Sequence, residues 1–106
     1  MAKQTSPSDS ASFGDPNSAG LEIVIPNKAG LHARAAALLV QCTSKFPCTI
    51  LMEKDGEEVN AKSIMGVMML AATCGSRVRF RAEGERAREA LEAVRALIDR
   101  KFDEPE

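Results

Sequence analysis

The chain has no tryptophan, no tyrosine and only 4 phenylalanines in 106 residues. Its core must therefore be built from aliphatic and methionine side chains, and the aromatic platforms on which nucleic-acid bases stack are essentially missing. An excess of one charge is missing as well. Lys and Arg number 14 against 15 Asp and Glu, for a net charge of -1, so the molecule as a whole has no electrostatic reason to seek nucleic acid or an anionic membrane. No apolar stretch approaches the roughly 18 residues of a membrane span. The N-terminus lacks a basic region followed by an apolar one, the mark of a secretory signal. The cysteines Cys42, Cys48 and Cys74 form no C-x-x-C pair, and each falls in a run that reads as apolar core. Buried, reduced thiols in a cytoplasmic protein are the expectation. Histidine is almost absent too: His32 stands alone, which leaves no ligand set for a metal.

What remains is one small domain of ordinary composition, 44% hydrophobic and 27% charged. Residues 1–19 are mostly Ser, Asp, Pro, Gly, Asn and Ala with a single Phe. Such a stretch cannot bury enough surface to offset its ordering entropy and reads as a disordered tail. The folded domain is expected over residues 20–106.

Leu21-Glu22-Ile23-Val24-Ile25 reads as a strand with Leu21, Ile23 and Ile25 on one face, stopped by Pro26. From Ala33 to Lys45 an Ala- and Leu-rich run without internal Gly or Pro predicts a helix, ended by Phe46-Pro47. Cys48 to Met52 alternates, Asp55-Gly56 signals a hairpin, and Glu57 to Ala61 returns. Ser63 opens a short helix from Ile64 to about Leu70, and Gly75 turns the chain into a strand from Ser76 to Ala82. There Val78, Phe80 and Ala82 face inward and Arg77, Arg79 and Arg81 outward. A last helix, Glu85 to Phe102, places Ala87, Ala90, Leu91, Val94, Leu97 and Ile98 on one stripe. The order β-α-β-β-α-β-α with such alternation calls for an α+β, open-faced two-layer sandwich: a four-stranded, mostly antiparallel sheet with three helices on one face.

The chemistry gathers at Asn27-Lys28-Ala29-Gly30-Leu31-His32-Ala33-Arg34, where the one histidine meets a helix start. Imidazole is partly neutral and nucleophilic near pH 7 without special tuning. A helix start offers unpaired N–H groups and the positive end of the macrodipole, and Arg34 adds a guanidinium for the same anion. A nucleophile beside an anion cradle suits a group that accepts and hands on a phosphoryl, although a lone histidine before a helix is most often no more than a cap or a surface residue. Ser63, before an apolar helical run, is a standard N-cap. Ile64, Met65, Val67, Met68 and Met69 make the second helix apolar nearly all round. A two-layer fold cannot bury all of them, so some of Ile64, Met65 and Met68 should stay exposed near His32. Arg77, Arg79 and Arg81 form a basic stripe that Glu22, Glu53 and Glu57 are placed to pair with across strands. RNA binding through that stripe lacks both aromatics and net positive charge.

The run Asn27 to Arg34 resembles the active-site signature of HPr, the histidine phosphocarrier family of the bacterial phosphotransferase system. Ala61-Lys62-Ser63-Ile64-Met65-Gly66-Val67-Met68-Met69-Leu70 resembles the family's second signature, around its regulatory serine. The resemblance spans roughly residues 20–102. It implies that His32 accepts a phosphoryl group on Nδ1 from phospho-enzyme I and passes it to an enzyme IIA domain, with Arg34 balancing charge. It further implies a carrier without turnover of its own or a cofactor, acting as a cytoplasmic monomer. Ser63 would be modified by HPr kinase/phosphorylase in bacteria that have that enzyme. Partners would dock on Ile64, Met65, Met68 and Ala37. One position departs from the family: Ala35 stands where Pro is usual, which leaves the helix start without the fixed φ of proline. Two other readings stay open, a nitrogen-type regulatory paralogue and an unphosphorylated interaction module using the same surface.

Overall fold

A computed structural model describes residues 16–104. The sheet consists of β1 (Ser18–Val24), β2 (Thr49–Lys54), β3 (Glu57–Asn60) and β4 (Arg77–Glu83), in the spatial order β1-β4-β2-β3. All three pairings are antiparallel. Helices α1 (Ala33–Thr43), α2 (Ile64–Met69) and α3 (Ala87–Asp99) cover one face, as the alternating strands require.

Alternation is cleanest in β4. Val78, Phe80 and Ala82 are buried while Arg77, Arg79 and Arg81 are exposed. In register, Phe80 sits between Leu21 of β1 and Met52 of β2, so the middle of the sheet meets the helices as one apolar row. The apolar stripe of α3, from Ala87 to Ile98, closes on that row. Burial of one such Leu or Ile side chain is worth about 1.5–3 kcal/mol. Thr43, fully buried on α1, donates its hydroxyl to the Ala61 carbonyl at 2.9 Å and so ties α1 to the end of the β2–β3 hairpin. The hairpin itself turns at Asp55 and Gly56, both in left-handed backbone (φ 54° and 85°), the two-residue form matched to strand twist.

On the open face, Arg79 pairs with Glu22 at 3.9 Å and Arg81 with Glu58 at 3.3 Å. The partner on β3 is thus Glu58 rather than the expected Glu57, because β3 sets Glu58 opposite Glu53 and leaves Glu57 opposite Lys54. Such half-exposed pairs contribute little net stability.

Several boundaries move. Strand β1 takes in Ser18 and Ala19, which pair with Glu83 and Ala82, so ordered pairing begins ahead of Gly20. Residues 1–15, the bulk of the expected tail, lie outside the described residues. Helix α3 ends at Asp99, short of the predicted Phe102. The cysteines divide: Cys48 is buried, Cys42 half-buried and Cys74 exposed. Burial pushes the Cys42 thiol up, with Lys45 and Arg100 acting the other way. The expectation of a buried Cys74 fails because it stands in the turn before Gly75, on the loop between α2 and β4. Among the described residues no helix is long and apolar enough to cross a membrane.

Candidate functional site

The loop between β1 and α1 is fixed by its backbone before any functional side chain enters. The Ile25 amide donates to the Ser76 carbonyl at 2.9 Å, the Gly75 amide donates back to the Ile25 carbonyl at 2.8 Å, and the Leu31 amide donates to the Ala72 carbonyl at 2.9 Å. The β1–α1 loop therefore lies against the segment that follows α2. Gly30 makes the approach possible: its φ is +67°, and a Cβ there would stand 2.7 Å from the Ala72 carbonyl oxygen. No other residue meets both conditions. Asn27, fully buried beneath the loop, donates Nδ2 to the Gly30 carbonyl at 2.9 Å.

His32 follows as the N-cap of α1, in extended backbone (φ -74°, ψ -179°). Its Nδ1 accepts the Arg34 amide at 3.2 Å, satisfying one of the donors that a helix start leaves free. Its Nε2 contacts Oε2 of Glu104. A carboxylate is an acceptor only, so this contact places the ring proton on Nε2 and leaves Nδ1 as the unprotonated nitrogen. The imidazole is about a third exposed, open enough to be reached. Arg34, the second residue of α1, is exposed in the first turn, at the positive end of the helix. Ala35 is fully buried and continues the helix where proline is usual, so the departure leaves the turn intact.

Glu104 arrives from the far end of the chain. Beyond α3, Lys101, Phe102 and Asp103 all adopt left-handed backbone, with φ between 56° and 58°. Each such non-glycine residue costs on the order of 1 kcal/mol or more. Phe102, buried completely, is what holds the turn in place, aided by Arg100 Nε donating to Asp103 at 3.0 Å. The turn delivers Glu104 so that Oε1 accepts from Asn27 Nδ2 at 3.0 Å and Oε2 faces His32. The Asn27 hydrogen bond first, then that of His32 and the charges of His32 and Arg34, hold the Glu104 carboxyl below the usual carboxylate range.

Ser63 caps α2 as expected: its Oγ accepts the Gly66 amide at 3.1 Å. Only Val67 of α2 is buried. Ile64, Met65 and Met68 are all exposed, Met65 to 72%, and Met69 joins them at 68%. Ala37 is half-buried on α1. The structure thus brings His32 and Arg34 together at one helix start and sets Ser63 and the methionines on a second helix, whose exit segment carries the His32 loop.

Two residues of the site lie beyond what sequence reasoning found. Asn27 gave one local signal, a polar residue after Pro26 in a glycine-containing turn, which suits a side chain bonding its own loop. Glu104 gave none, being 72 positions from its partner.

Fold and site together define a class: an open-faced sandwich whose one histidine caps the first helix with Nδ1 free of its proton. Residues 21–100 match the model for the PTS HPr component phosphorylation site. The chain is 49% identical over 83 residues to the phosphocarrier protein HPr of Xylella fastidiosa, covering 78% of this chain and 93% of that one. Over 71 residues it is 51% identical to the HPr-like protein Crh of Bacillus subtilis, covering 67% and 84%. Among solved structures, HPr-C-His from Thermoanaerobacter tengcongensis superposes with a TM-score of 0.79 at 50% identity, covering 82% of this chain and 98% of that one. The chain belongs to the HPr family of the phosphotransferase system.

Proposed function

We propose that this chain is a histidine phosphocarrier, taking a phosphoryl group from phospho-enzyme I onto His32 Nδ1 and giving it to a histidine of an enzyme IIA domain. The observation that carries the reading is the hydrogen bonding of His32: Glu104 accepts from Nε2–H, which leaves Nδ1 unprotonated and turned toward the donors of α1.

In the accepting step the Nδ1 lone pair forms the new P–N bond while the donor's P–N bond breaks, its electron pair returning to the donor nitrogen. The onward step reverses these roles. Phosphoryl transfer asks a protein mostly for positioning and charge stabilisation. Here the Arg34 amide, released from Nδ1, and its neighbours at the helix start receive the phosphoryl oxygens, and the Arg34 guanidinium offsets their charge. Each step needs a second protein, so the chain has no turnover of its own and requires no cofactor.

The carrier domain includes Ser18 and Ala19, the first residues of β1. Ile64, Met65 and Met68, with Ala37, form the docking surface; flexible exposed methionines suit a carrier that meets several partners in turn. The protein works as a monomer in the cytoplasm, where the phosphotransferase proteins of its family act. Where an HPr kinase/phosphorylase exists, Ser63 is its target. A phosphate there adds about two negative charges beside the docking surface without melting a helix whose dipole favours it.

The test is transfer from phosphoenolpyruvate through enzyme I of the same organism, read by intact mass. One acid-labile phosphoryl is expected on the wild type and none on His32→Ala, with its fold retained. The likeness to Crh supports the regulatory alternative. No transfer to the wild type, with enzyme I active on another carrier, would select an unphosphorylated interaction module; delivery to a regulator instead of a sugar transporter would select the nitrogen-type branch.

A further inference from the structure

The sheet ends on one side in β1, which has a single neighbour, β4, among the described residues. Hydrogen bonds at the two ends of the strand fix which of its backbone groups point outward. The Ile25 amide donates to the Ser76 carbonyl and the Gly84 amide donates to the Asn17 carbonyl, each at 2.9 Å, so residues in step with 17 and 25 face β4. An antiparallel ladder alternates. Ser18, Gly20, Glu22 and Val24 therefore turn their N–H and C=O groups to the free edge. Pro16 belongs to the same set, and its carbonyl accepts the Arg88 amide of α3 at 3.0 Å. Beyond that point the strand carries one charge, Glu22, and neither Lys nor Pro, the residues that commonly guard an unpaired edge. Beside the edge, β1 and α3 enclose a groove of about 190 Å³ lined by Leu21 and Leu91, with Arg88, Glu92 and Arg95 on the helix side.

We propose that the segment ahead of Pro16 covers this edge, running back along β1 with Phe13 in the groove against Leu21 and Leu91. The course of the chain selects this occupant. Pro16 and Asn17 line an adjoining cleft that shares Arg88 and Glu92 with the groove, so the chain enters beside it. Phe13 precedes Pro16 by three residues, a reach of roughly 10 Å, and is the one aromatic residue of 1–15. Gly14, Asp15, Pro16 and Asn17 form a run of turn-forming residues between it and β1. Charge agrees: Asp9 and Asp15 outweigh Lys3 in the segment, and two arginines outweigh one glutamate in the groove.

Alone, such a segment cannot offset its ordering entropy. Added to an existing edge, it completes a ladder whose main-chain groups are already set out, and needs one apolar anchor. Tethering favours it over a second copy or a separate peptide, because a short linker presents it at an effective concentration of about millimolar. The family match begins at residue 21, so the cover lies outside the part that matches the family. Its effect is to withhold the β1 edge from other strands.

Amide hydrogen exchange of the full chain, followed residue by residue by NMR, is the test. In wild type the edge-facing amides of Gly20 and Glu22 should exchange at least about tenfold more slowly than in Phe13→Ser. Those of Leu21 and Ile23, which face β4, should be alike in both proteins. Phe13→Leu should keep most of the protection, and the Phe13 ring should show nuclear Overhauser contacts to the methyls of Leu21 and Leu91. Equal exchange at Gly20 and Glu22 in wild type and Phe13→Ser would overturn the proposal; if both were fast, the edge would stand open to a separate strand. Protection that disappears on dilution would also overturn it, in favour of a second copy. Phosphoryl acceptance by His32 is read separately, so neither result bears on the carrier function.

Discussion

The loop around His32 and the helix that begins after Ser63 lie side by side and are built on opposite terms. The loop is stitched from three directions: the segment after α2, buried Asn27 and the C-terminal turn each contribute a hydrogen bond. Helix α2 has six residues and one buried side chain, and shows solvent four large apolar ones. Isolated, so short a helix would not form; Ser63 at its cap and Val67 in the core are what keep it. Under the carrier function proposed above, the difference separates two tasks. Phosphoryl transfer tolerates little misplacement of the nucleophile, which a loop held by so many hydrogen bonds suits. Docking on successive partners favours a surface that can repack, and unbranched methionines give one.

The rigid side should break hardest at Gly30. Gly30→Ala sets a Cβ 2.7 Å from the Ala72 carbonyl, in left-handed backbone. Strain and overpacking together should cost about 2–4 kcal/mol, read by chemical denaturation. Phosphoryl acceptance should fall with it, since the loop can relieve the clash only by moving away from the segment that positions it. A variant with native stability and native transfer would mean that the loop does not need its close approach.

The soft side should behave in the reverse manner. Met65 is 72% exposed, so Met65→Glu should change stability by no more than about 0.5 kcal/mol. A buried charge in the complex should nevertheless weaken docking to enzyme I by about tenfold or more. The phosphohistidine, once formed, should be as labile as in wild type. Unchanged affinity would move the docking surface off α2.

How much of this contrast was readable beforehand follows from how local its causes are. β4 announces itself because alternation is a property of adjacent residues, and Ser63 does so because a cap acts within three positions. The Asp55-Gly56 turn is local in the same way. The exposure of α2 was legible in part: too many apolar residues for one buried face, though Met69 was not singled out. The end of α3 misled because Phe102 falls four residues after Ile98, on the helical stripe, yet reaches the core through a left-handed turn that no glycine advertises. Glu104 lay out of reach altogether, since its role depends on where two ends of the chain meet.

That far-end contact supplies the finest test of the rigid side. The Glu104 carboxyl is held below the usual carboxylate range, so in the folded state it stays ionised where the unfolded chain would already be taking up a proton. A group lowered in this way contributes stability above its unfolded value, and the contribution drains as pH falls through the folded one. Wild type should therefore be more stable than Glu104→Gln at neutral pH. The gap should narrow in acid and close once the carboxyl is protonated, when acid and amide differ little in charge. Thermal melts of both proteins at a series of pH values would show the convergence. A constant gap would mean that shape, and not charge, makes the C-terminal turn worth its strain.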